Sequence, residues 1–151
     1  MTDDGLLYAE DLSSGLRAEL GTHTLSSREI VEFAREWDPL PIHTDERAAA
    51  EGPFGGLTAS GVHTVAVATK LMSEGFTLRT AVTAGRGLRD LQLLKPVRPD
   101  SEMTGTLEVI ETEIKEGGKG VTLWRVELTD PEGDKLLSME VEAGVRARPR
   151  A

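Results

Sequence analysis

The residue pattern changes character near residue 78: helical signals come before it and strand signals after it. Ser26-Ser27-Arg28-Glu29 predicts a helix start, with Ser26 capping free backbone N–H groups and Glu29 reaching back to it. Ile30, Val31, Phe33, Ala34 and Trp37 then recur at helical spacing. Pro39 and Pro41 stop that helix, because proline lacks an N–H and disfavours helical geometry in the residue before it. Residues 38–43 are therefore expected to form a stiff, extended loop. A short helix over 46–51 follows, capped by Asp45, and the Gly- and Pro-rich stretch 52–56 reads as a turn. A second long helix is predicted over 60–73, ended by Gly75. Val62, Val65, Ala66, Val67, Ala68, Leu71 and Met72 make it apolar nearly all round, the mark of a helix buried on several sides. Ala66 and Ala68 are small enough to let a sheet come close.

Strands are predicted over 85–94, 102–114, 121–129 and 135–145, with a further short one around 16–24. In the third of these, Trp124, Val126 and Leu128 alternate with Leu123, Arg125 and Glu127. Residues 116–120 and 130–134 carry hairpin-turn chemistry. Successive strands joined by short turns pair antiparallel. One buried helix followed by such a meander implies an α+β fold in which a sheet curls round a helix. The 151 residues suit a single domain with its own core, spanning 1–151 with the core at about 8–145. Only the first few residues and the tail 146–151 read as loose.

With 26 acidic and 17 basic side chains the formal net charge is -9. That sign argues against a nucleic-acid partner, which needs concentrated positive surface. There is no cysteine, so disulfides, thiolate metal sites and cysteine nucleophiles are excluded. No run suits a signal peptide or a membrane span, and a cytoplasmic location is the expectation by elimination. Three scattered histidines give no metal-ligand spacing; Asp38, His43 and Asp45 are the one trio to inspect. Gly85-Arg86-Gly87 lacks the strand–glycine–helix context of a dinucleotide site. Arg86, Arg89, Lys95 and Arg98 have two readings, contacts to phosphates or a solvated strand face. His23 reads as a surface residue, and Trp37 and Trp124 as core or dimer-interface residues.

Asp38 and His43 carry the candidate chemistry. Two prolines between them restrict the backbone and so fix how the side chains are presented. Fixed geometry is what acid–base chemistry requires. A converging carboxylate and imidazole can hold one water, one taking a proton from it and the other returning one. The plainer reading stays open, with Asp38 as a turn cap and His43 as a loop residue. Gly61 stands at the start of the apolar helix, where N–H groups lack internal partners and carry partial positive charge. Glycine there lets a thioester oxygen approach the backbone, or merely serves close packing. His63 either lines an acyl pocket or is a buried structural histidine.

Phe33-Ala34, Trp37-Asp38-Pro39-Leu40-Pro41-Ile42-His43-Thr44-Asp45, Ala48-Ala49, Phe54-Gly55-Gly56, Ala59-Ser60-Gly61 and Leu94-Lys95-Pro96-Val97 together resemble the MaoC-like dehydratases and (R)-specific enoyl-CoA hydratases. The similarity runs over about 8–145 and is densest over 33–72. It implies a hot-dog fold and a homodimer with sites near the subunit interface. It also implies a lyase that interconverts trans-2-enoyl and 3-hydroxyacyl thioesters, the acyl group being carried on coenzyme A or an acyl carrier protein. No cofactor is implied beyond the coenzyme A of the substrate. The family's catalytic Asp and His fall on Asp38 and His43. Its oxyanion glycine falls on Gly61, and a hydroxyl residue supporting the Asp falls on Thr69. Ser60 stands where many (R)-hydratases carry histidine. Ser60, Gly61, His63 and Thr69 are the candidate substrate-binding residues. Two other activities suit such a fold, an acyl-CoA thioesterase and a non-catalytic acyl-thioester-binding subunit.

Overall fold

In a computed structural model the chain is described over residues 4–150. Strand β1 (Arg17–His23) leads into helix α1 (Ser27–Trp37), the single turn α2 (Pro41–Thr44), the short α3 (Glu46–Ala50) and the long α4 (Gly61–Gly75). Strands β2 (Val82–Leu93), β3 (Met103–Lys115), β4 (Lys119–Thr129) and β5 (Lys135–Arg146) follow. All pair antiparallel in one five-stranded sheet of order β1-β3-β4-β5-β2.

The alternation in the strands decides which face is covered. Met103, Leu107 and Val109 of β3, Trp124, Val126 and Leu128 of β4, and Leu137, Met139 and Val141 of β5 are all buried. They share one core with Val67, Ala68, Leu71 and Met72 of α4. Trp124 sits at its centre, edge-on to Phe76 at 5.1 Å, and its indole N–H donates to Thr122 Oγ1 at 2.7 Å. Gly75 ends α4 directly against β1: a Cβ there would lie 2.8 Å from the Leu20 Cα. This is the hot-dog arrangement, a central helix against one antiparallel sheet.

Three expectations need correcting. First, α4 is covered on one broad side only: Val62 is 59% exposed, and Ala66, Thr69 and Lys70 are exposed as well. Ala68 faces the sheet and Ala66 faces away. Second, the meander stops at β3-β4-β5. Residues 94–102 form a long connection between β2 and β3, so β2 is free to cross and pair with β5 at the far edge. Its register shifts three times along that edge, with Asp90 at φ 49° at the last bulge. Third, the tail is tied down: the Arg148 N–H donates to Glu10 Oε1 at 2.9 Å and its guanidinium to Asp11 at 2.6 Å. Residues 1–3 and 151, also expected to be loose, lie outside the described residues.

The segment before α4 decides the site. Ser26 caps α1 as expected, accepting from the Glu29 N–H at 3.1 Å while Glu29 accepts from the Ser26 N–H at 3.1 Å. The helix ends at Trp37, and Asp38 leaves helical geometry, at φ -160° and ψ 74°. The expected extended loop then breaks off early. Pro41 occupies the first position of α2, where a missing N–H costs nothing and the fixed φ favours a helix. His43 is thereby carried on a helical turn and buried.

Candidate active site

Three elements bring the candidate pair together: the end of α1, the turn α2 and the start of α4. His43 Nε2 lies 3.6 Å from Asp38 Oδ2. That gap is too long for a hydrogen bond, and both atoms are within reach of one water between or beside them. His43 Nδ1 lies 2.6 Å from the Thr58 carbonyl oxygen. A carbonyl only accepts, so Nδ1 carries the hydrogen and Nε2 is the nitrogen that exchanges protons. The His43 side chain is 9% exposed and that of Asp38 29%, so water reaches the carboxylate while the imidazole is held in the wall.

The hydroxyl that meets Asp38 belongs to Ser60. Its Oγ–H donates to Asp38 Oδ2 at 2.6 Å, and the same oxygen accepts from the Val62 N–H at 3.3 Å as the cap of α4. The carboxylate is thus fixed in rotation by the residue that starts the central helix. Thr69 does not supply this support. Eight residues of helix, about 12 Å along its axis, separate it from Gly61. Its Oγ1–H donates to the Val65 carbonyl at 2.8 Å on the exposed side.

Gly61 opens α4, and its N–H has no helical partner. It faces a cavity of about 370 Å³ shared with His43, Thr58, Thr64, Phe54 and Leu136, and with the wall formed by residues 93–97. Gly61 and Thr64, three residues apart, share this face of the helix. His63 does not line the cavity. Two steps along a 3.6-residue turn carry it to the opposite side, where its ring stacks on Phe33 at 4.1 Å. Burial pushes its pKa down, with the Glu29 charge opposing, and its Nδ1 is buried without a partner. It is the structural histidine of the two open readings.

Three of the four candidate phosphate-contacting cations are paired with carboxylates. Arg86 and Arg89 both meet Glu142. Lys95 Nζ donates to Asp130 and, at 3.0 Å, to Asp134, with Glu132 at 3.8 Å. Of those three carboxylates, Asp130 and then Asp134 raise the Lys95 pKa. The three are also the one group among the described residues tight enough to hold a cation, and the ammonium already stands there. Arg98 differs, donating to the Phe54 carbonyl at the cavity rim. Asp45 caps α3, accepting from the N–H groups of Arg47 and Ala48 at 3.0 and 3.1 Å, and forms no metal trio with Asp38 and His43. Trp37, expected in the core or an interface, is 65% exposed in this chain.

Reasoning from the residues alone missed the Thr58 carbonyl and the role of Ser60. A serine directly before a helix-opening glycine signals a cap, but nothing in the spacing shows that Asp38 comes to meet it across 22 residues.

A central helix against one antiparallel sheet defines a hot-dog protein. Residues 15–130 match the MaoC like domain, and the chain belongs to that family. The MaoC-like dehydratase structure from Rhodospirillum rubrum superposes with a TM-score of 0.87 at 30% identity, covering 95% of this chain and 99% of that one. Bacillus subtilis (strain 168) protein YdeM is 37% identical over 98 residues, 64% of this chain and 69% of its own length. The 3-hydroxybutyryl-CoA dehydratase of Methylorubrum extorquens is 38% identical over 68 residues, 44% of this chain and 43% of that protein. No helix among the described residues is long and apolar enough to cross a membrane.

Proposed function

We propose that the protein catalyses the reversible addition of water to a trans-2-enoyl thioester, giving the 3-hydroxyacyl thioester. The observation that carries this reading is the placing of Asp38 Oδ2 and His43 Nε2 3.6 Å apart, with His43 and Gly61 both lining one cavity. The kinship with a 3-hydroxybutyryl-CoA dehydratase supports it. The thioester oxygen accepts from the Gly61 N–H, which stabilises the negative charge that grows there. Asp38 takes one proton of the water, and the water oxygen bonds to the β-carbon. The π pair moves to the α-carbon and, by conjugation, to the thioester oxygen. His43 gives the proton on Nε2 to the α-carbon. The proton on Asp38 then crosses to Nε2 and restores both groups. The sequence is redox-neutral, so it calls for no electron carrier, and coenzyme A enters as part of the substrate. The apolar walls from Ile42, Leu94, Pro96, Val97 and Leu136 suit an acyl chain rather than a charged one.

Incubation with crotonyl-CoA checks this. The enoyl absorbance is expected to fall with no release of free thiol. Thiol release in its place would make the protein a thioesterase. Stabilisation by the thioester without any turnover would make it a non-catalytic acyl-thioester binder.

We also infer a homodimer. Strand β2 is an edge, and every residue of it except Val82 is exposed, including Leu88 and Leu91. A long edge strand with one side unpaired is a template for pairing with another strand. The exposed side of α4, with Val62 and Ala66, has the same need of cover. Sedimentation is expected to give twice the 16.3 kDa chain mass. A monomer at micromolar concentration would end the inference.

A further inference from the structure

Leu93 closes the side of the cavity on which Gly61 stands. A Cβ built at Gly61 would collide with Leu93 Cδ1, and Leu93 Cγ and Cδ2 lie 3.6 and 3.8 Å from the same point. Both residues face the cavity. The leucine thus packs on bare backbone and fills the place of a side chain that Gly61 lacks. Its own backbone is anchored on both sides. Leu93 pairs with Leu137 in the last step of the β2–β5 ladder. The next N–H, that of Leu94, donates to the Leu136 carbonyl at 2.9 Å. One residue further, Lys95 is bound to the carboxylates of the β4–β5 turn. Leu93 is therefore a wall with a fixed backbone, its side chain 57% exposed.

The position of that wall bears on which acyl groups fit. An oxygen accepting from the Gly61 N–H at roughly 2.9 Å, with ordinary C=O and C–C bond lengths, places the α-carbon within about 5.5 Å of that nitrogen. Leu93, packed on Gly61 itself, is then within reach of the substituents next to the thioester carbonyl. A hydrogen on the α-carbon is accommodated, whereas a methyl competes for the space that Cδ1 holds. We propose that Leu93 sets the specificity at the α-carbon, admitting enoyl thioesters unbranched there and turning away α-methyl ones. This rests on the hydratase reading above.

The test compares kcat/KM for crotonyl-CoA and its α-methyl homologue tiglyl-CoA in the wild-type protein, Leu93→Ala and Leu93→Phe. The wild type is expected to favour crotonyl-CoA by at least about 10-fold, the usual scale for one methyl group against an apolar wall. Leu93→Ala is expected to bring the ratio to within about 3-fold of parity, and Leu93→Phe to widen it. A general loosening would not move the two variants in opposite directions. Sedimentation of both variants should match the wild type, which keeps assembly out of the comparison. Equal use of the two substrates by the wild type, or a ratio that neither variant moves, overturns the assignment of Leu93 and leaves the hydratase reading standing. If the wild type hydrates neither substrate, the hydratase reading itself falls and takes this one with it.

Discussion

Asp38→Asn and His43→Ala each lower kcat for enoyl-CoA hydration by at least about 10²-fold, the lower bound for losing a positioned acid or base. In Asp38→Asn the amide still accepts from the Ser60 hydroxyl, yet it cannot take a proton from water. In His43→Ala the Thr58 carbonyl loses its 2.6 Å donor, and the proton returned to the α-carbon has no source. The double variant should lose little more than the worse single one, because two groups whose proton transfers belong to one addition act as a unit. Stopped assays of hydration and of the reverse dehydration give the rates, and circular dichroism confirms that the fold persists. Single variants within a few-fold of wild type would remove the mechanism. Additive losses in the double variant would instead show two groups acting on separate steps.

The largest expected effect on stability is at Trp124. Its side chain is 1% exposed, and it stands opposite Val109 on one neighbouring strand and Val141 on the other. Trp124→Ala removes the edge contact to Phe76 and leaves a cavity between α4 and the sheet. The expected cost is about 3–5 kcal/mol, the usual range for a fully buried tryptophan or phenylalanine. The urea midpoint should fall accordingly, with the slope unchanged. Against a typical total of roughly 5–15 kcal/mol, the variant is expected to be partly unfolded at growth temperature. A loss below about 1 kcal/mol would mean that the core closes around the gap, a result outside the usual range for such a site.

Much of this architecture is legible in the residues because local rules and packing agree. The alternation of Trp124, Val126 and Leu128 with Leu123, Arg125 and Glu127 names the buried face of β4 with no other information. The Ser26–Glu29 box places the start of α1 correctly. Legibility fails where a long-range partner decides. Nothing local tells β2 to cross the sheet, since the hairpin rule needs a short turn and residues 94–102 are not one. Pro41 reads as a breaker when its role is to begin a turn, and both follow from the same fixed φ. His63 and Gly61 are two residues apart and face opposite sides of α4, so nearness in sequence misled. For the site, Asp38 and His43 stand out because two prolines stand between them. The partners that orient them, a carbonyl and a capping hydroxyl, are too common to single out.

Ser60 joins two requirements in one atom. Its oxygen holds the first turn of the central helix and the carboxylate that handles water. A replacement that loses the hydroxyl therefore weakens folding and turnover in a single step, and neither can drift while the other is kept. Selection for a well-formed helix start is, at this position, also selection for a correctly aimed acid–base group. A lineage that gave up this serine would need a new anchor for Asp38 before it could let go of the old one.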